Sequence, residues 1–194
     1  MKNVGFITFL VMLFLWSCKS GTVEDVNINT TDITVEADFS ELDTSDMQSI
    51  SLLDYDLNLS IKVPIVATAA GAEIQPEIMH DDGDYLWYIK IGEYFNLVIE
   101  DYANEFGKVL KHQRDLEGQS NVFKITYIEK SSNLIFYKRE LINENGGLPT
   151  YHCYSEIEID GYNYVLRTES FGGYELVVKD MVLSIKTAKP VMQS

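Results

Sequence analysis

Two Asp-Gly pairs, Asp82-Gly83 and Asp160-Gly161, each stand between runs in which apolar and polar residues alternate. A period of two is the mark of a strand with one buried face, and Asp-Gly supplies the positive φ that a two-residue hairpin turn demands. The first pair joins residues 72–79 to 85–91, and the second joins 151–159 to 162–168. Further alternating runs fall at 57–63, stopped by Pro64, and at 95–99, 122–129 and 134–141, the last two joined by a tight turn at 130–133. Most of the chain is thereby committed to antiparallel pairing.

Two stretches keep a helical period instead. In 101–118, Tyr102, Phe106, Val109, Leu110 and Gln113 share one helical face and Gly118 suits the stop. In the C-terminal region, Tyr174, Val177, Val178, Met181, Val182 and Ile185 form one apolar stripe, with Lys186 and Lys189 near the helix end and Pro190 closing it. Hairpin-linked strands with two amphipathic helices predict an α+β fold, an antiparallel sheet of about 7 strands with two helices, as a single domain over 52–190.

The segment before that domain has two parts. Lys2 gives a positive start, residues 4–16 are an almost unbroken apolar run, and Leu15-Trp16-Ser17-Cys18 ends it with a small residue before a cysteine. A run of about 13 residues is shorter than the roughly 20 a membrane-spanning helix requires and suits a signal h-region. The stretch resembles a bacterial lipoprotein signal with its lipobox. That resemblance implies a signal peptide at 1–17, cleavage before Cys18, and a diacylglyceryl thioether on the Cys18 sulfur carrying acyl chains such as palmitate. Trp16 departs from the pattern, since that position usually holds a smaller residue. Residues 18–51 are rich in Ser, Thr, Asp, Asn and Glu with isolated apolar residues, and read as an acidic flexible tether.

The formal net charge of −15 becomes one unit more negative once Lys2 is removed with the signal. Such a chain repels phosphate backbones, so nucleic-acid partners are not expected. With Cys18 taken by lipid, Cys153 is the remaining cysteine and no intramolecular disulfide is available. Alternation puts Cys153 with Tyr151, Ser155, Ile157 and Ile159 on one face, and His152, Tyr154, Glu156 and Glu158 on the other. The apolar end of the first face marks the Cys153 thiol as buried and structural.

Chemistry-bearing candidates are few. His80, Asp81, Asp82 and Asp84 form the densest ligand-like cluster, able in residue type to hold Ca²⁺ or a transition metal, or else simply a solvated hairpin turn. EF-hand spacing is absent, and His80, His112 and His152 lack zinc-site spacing. Tyr88 and Tyr154 point away from the Trp87 and Cys153 faces, either beneath a helix or as an open platform for glycan or peptide. No nucleophile elbow, phosphate loop or Cys-x-x-Cys pair occurs, and Glu140, Glu144, Glu156 and Glu158 define no particular carboxylate pair. No catalytic residue and no cofactor is expected.

The order of elements resembles the PsbP-like fold, an α/β/α sandwich found in PsbP of photosystem II and related bacterial proteins. The features that carry it are an opening strand ending at Pro64, a mid-chain strand then helix, the hairpin at 151–168, and a closing helix ending in Ser184-Ile185-Lys186. It spans about 55–188 and implies a binding or assembly scaffold. The lipobox and tether resemble those of Bacteroidota lipoproteins, and Lys19 after the cysteine implies the outer membrane. The sequence thus predicts a non-enzymatic envelope lipoprotein, held at the periplasmic or surface side of the membrane by its N-terminal lipid and binding an envelope protein partner. The alternative is a ligand-binding module for glycan or Ca²⁺.

Overall fold

Strand periodicity, read along the chain, becomes eleven strands and two helices in a computed structural model that describes residues 42–142 and 147–191. The expected signal at 1–17 and residues 18–41 of the expected tether, Cys18 included, lie outside the described residues. The strands are β1 (Met47–Ser51), β2 (Ser60–Pro64), β3 (Val66–Ala67), β4 (Glu73–Ile74), β5 (Glu77–Met79), β6 (Leu86–Ile91) and β7 (Phe95–Asp101). Helix α1 (Lys108–Glu117) follows, then β8 (Phe123–Lys130), β9 (Leu134–Leu141), β10 (Thr150–Ile159), β11 (Tyr162–Thr168) and helix α2 (Glu175–Thr187).

Seven strands make one sheet in the order β5-β6-β7-β11-β10-β9-β8, with every neighbour antiparallel. The fold is α+β, with the expected seven-stranded sheet and two helices. Both Asp-Gly pairs turn hairpins: Asp160 and Gly161 have φ of 55° and 84°, and Gly83 has φ of 83°. The β7–β11 pairing, Leu166 opposite Ile99, joins the hairpin β6–β7 to the hairpins β8–β9 and β10–β11.

Alternation sorts the side chains onto two faces, and each face has its own helix. On one, Trp87, Ile89, Leu97, Ile99, Phe136, Cys153 and Leu166 pack with Val178, Met181, Val182 and Ile185 of α2 and with Ile61 and Val63 of β2. On the other, Ile135 and Tyr137 pack with Val109 and Leu116 of α1. A pair formed by β1 and β2 lies beside α2: the Lys62 amide donates to Thr187 Oγ1 at 2.9 Å, and its Nζ donates to Thr44 Oγ1 at 2.7 Å.

Four local differences from the sequence reading have physical causes. Composition extends the expected tether over 18–51, but β1 pairs with β2 from Met47↔Pro64 to Ser51↔Ser60, so the packed body begins before Leu52. Its apolar contribution is only Met47 and Ile50 in a polar run, which hides the period. The run at 72–79 divides at Pro76, which has no amide to donate, and β4 pairs with β3 instead. Helix α1 starts at Lys108, because Gly107 takes φ 78° at its N-cap; Phe106 and Leu110 are then more than half exposed, while Val109, Gln113 and Leu116 face inward. Finally, Tyr174 stands at the N-cap position of α2, exposed and with extended backbone, rather than joining its buried stripe.

Candidate functional site

Helix α1 shades only part of its face of the sheet, because ten residues do not span seven strands. Its first turn is fixed to β10 by Glu156, whose carboxylate accepts from the Gly107 amide at 2.9 Å and the Val109 amide at 2.8 Å. Without a side-chain cap of its own, the helix takes these acceptors from the sheet. Beside it opens a cleft of about 380 Å³, floored by β9, β10 and β11 and closed by Glu100, Tyr102 and the segment after β11.

Two of the chain's three arginines and two of its three histidines line this cleft. His112 stacks on Tyr154 with centroids 4.2 Å apart and planes at 11°, and its Nε2 is hydrogen-bonded to the Tyr137 hydroxyl at 3.1 Å. Tyr137 in turn stacks on His152, 5.1 Å and 11°, and His152 Nε2 bonds to Thr150 Oγ1 at 2.9 Å. Arg167 pairs with Glu100 and also donates to the Thr168 carbonyl at 3.0 Å, while the Tyr102 hydroxyl donates to the other oxygen of Glu100 at 3.0 Å. Arg139 lies over the Phe123 ring at 4.9 Å and donates to the Ser170 carbonyl at 3.3 Å.

Burial lowers the pKa of His112 to about 4, reinforced by Arg167, Lys111 and Arg139 and opposed by Asp115. Burial likewise takes His152 down to about 3, with Arg139 and His112 adding to it. Both imidazoles are therefore neutral at physiological pH, able to offer flat faces and one donor and one acceptor nitrogen each. Burial raises the Tyr137 and Tyr154 hydroxyls well above the usual phenol range.

Of the residues singled out from sequence, Tyr154 is in this cleft, beneath α1 as one of the two readings had it. Tyr88 is on the same face but apart from it, opposite Met79 and Val98, with Lys90 Nζ 5.8 Å above its ring. The residues of the 80–84 turn are not brought together as ligands. His80 Nδ1 is hydrogen-bonded to the Leu86 carbonyl at 2.9 Å and its ring stacks on Trp87 at 4.5 Å, while Asp84 accepts from the Tyr85 amide at 2.7 Å. Among the described residues no three His, Cys, Asp or Glu side chains group as a metal site. His80 is thus engaged by the indole and the Leu86 carbonyl. Cys153 is buried on the α2 face, its thiol pushed up to about 12 by burial. Arg139, Arg167, Tyr137 and Glu100 carry no signal in the sequence, because only strand register and the landing of α1 bring them together with His112.

A second feature lies at the end of β11. Phe171, Leu148, Leu176 and Tyr174 are 82, 89, 75 and 64% exposed. Tyr94 meets Tyr174 edge-on at 5.4 Å, and Tyr94, Leu148, Phe171 and Tyr174 border one concavity of about 390 Å³. Glu93 and Glu169 also line it.

Compared with models of protein families and with curated proteins, the chain matches none. Among the described residues no helix is long and apolar enough to cross a membrane.

Proposed function

We propose that this chain is a lipid-anchored lipoprotein of the cell envelope, attached through Cys18 at the outer membrane, whose domain docks a protein partner without catalysing a reaction. The observation that carries the docking is the surface of Tyr94, Leu148, Phe171 and Tyr174. Large apolar side chains gathered on one exposed patch mark a place where water is meant to be expelled, and aromatic residues are the usual anchors of such contacts. Glu93 and Glu169 lining the same concavity, on a chain of net charge −15, fit a partner that brings apolar and basic side chains together. Residues 1–18 carry the anchoring half of the reading. Helices on opposite faces of one antiparallel sheet support the PsbP-like sandwich as the scaffold.

The test has two arms. Mass spectrometry of the mature protein is expected to find Cys18 as its first residue, bearing the thioether-linked lipid; a start elsewhere overturns the anchor. Pull-down from envelope fractions with the wild type and a Phe171→Ser/Tyr174→Ser variant is expected to recover one stoichiometric partner with the first only. Equal recovery by both, or no partner with either, overturns the docking role.

A further inference from the structure

We infer that the cleft beside α1 binds a small organic monocarboxylate with a flat, unsaturated body, held at its charged end by Arg139. This site adjoins the aromatic concavity, with Thr168 and Glu169 common to both, and stands whether or not that surface docks a protein. Four observations converge on it.

Arg139 is the available cation. Among the described residues it joins no ion pair, whereas Arg167 is committed to Glu100 and the Thr168 carbonyl. Its contacts with the Ser170 carbonyl and the Phe123 ring hold the guanidinium in place and leave most of its five donors free, the arrangement that receives a carboxylate two-pronged.

The local charge sets the ligand's charge. Arg167 and the Tyr102 hydroxyl occupy Glu100, so that carboxylate does not oppose an incoming anion. Glu169 also lines the cleft and pairs with no cation among the described residues, which penalises a doubly charged phosphate more than a single carboxylate.

The lining sets the ligand's shape. Five rings, those of Tyr102, His112, Tyr137, His152 and Tyr154, line one cleft, four of them as near-parallel stacks. Tyr137 and His152 are buried against each other, so Tyr102, His112 and Tyr154 supply the accessible ring surface, and both histidines, being neutral, add no cation. Flat surfaces favour a flat guest. A cleft of about 380 Å³ is at the small end of the range that takes small molecules.

Benzoate is the probe. The full chain in detergent micelles is titrated while the ring signals of His112, His152 and Tyr154 are followed by NMR, with benzyl alcohol, cyclohexanecarboxylate and inorganic phosphate as parallel arms. Benzoate is expected to shift His112 and Tyr154 saturably and to bind more tightly than each of the other three. Arg139→Gln weakens it about tenfold or more, Arg139→Lys falls between, since it keeps the charge without the fork, and Arg114→Gln on the exposed side of α1 leaves it unchanged. The proposal is overturned by no saturable shift below about 10 mM. Equal or tighter binding of phosphate, cyclohexanecarboxylate or benzyl alcohol overturns it as well, as does full affinity in Arg139→Gln with an unchanged circular dichroism spectrum.

Discussion

Glu156 on β10 holds Val109 at the first turn of α1, carboxylate oxygen to amide nitrogen at 2.8 Å, and its other oxygen takes the Gly107 amide. A helix of ten residues has little stability of its own, so an acceptor supplied by the sheet decides where it sits. Glu156→Ala is expected to destabilise the domain by about 1–2 kcal/mol in urea unfolding. Amide exchange should quicken across Lys108–Glu117 more than in β10 or β11. Uniform quickening over the whole domain would show that the contact does not position the helix.

The buried histidines make stability depend on acidity. An unfolded chain has imidazoles near 6.5, so as pH falls it binds protons that folded His112 and His152 refuse until about 4 and about 3. Their contribution is therefore whole above about pH 6.5 and is lost progressively below it, on the order of 3 kcal/mol for each histidine. Urea midpoints between pH 7.5 and 5 should fall, and fall less steeply in His152→Gln. Equal slopes in the two proteins would contradict the assignment.

Gly172 is packed against the His152 ring so closely that an added Cβ would lie 2.6 Å from its Cε1 and Nε2 and from the Tyr151 carbonyl, at φ 73°. Gly161 has a similar φ of 84° but open space around it. Gly172→Ala should lower stability by about 3 kcal/mol and Gly161→Ala by about 1 kcal/mol, as read from thermal melts. A smaller loss at 172 than at 161 would rule out the clash.

Cys153 is fully enclosed, with its thiol pushed up to about 12 by burial. Iodoacetamide at neutral pH should leave it unmodified in the folded protein and alkylate it once urea is added, as peptide mapping would record. Rapid modification of the native protein would place the sulfur outside the core.

Local features were legible and distant ones were not. The hairpin turns at Asp82-Gly83 and Asp160-Gly161 announce themselves because turn chemistry and alternation are properties of neighbouring residues. The same alternation separates Cys153 from His152 and Tyr154, and the two faces of the sheet follow it. The helical period in the sequence begins earlier than α1, because Tyr102 and Phe106 keep a spacing that Gly107, with its positive φ, interrupts. The cleft was visible only through Tyr154. Arg139, Arg167 and Glu100 are brought beside it by β9, β11 and β7, and strand order is not written in any single segment.

Lys62 touches Thr44 with its side chain and Thr187 with its backbone, so the polypeptide enters and leaves this body at neighbouring points. A circular permutant, joined there and reopened at the 160–161 turn, keeps every other strand partnership. Cargo fused after α2 would emerge at the doorway through which the chain arrives, leaving both the cleft and the aromatic surface clear.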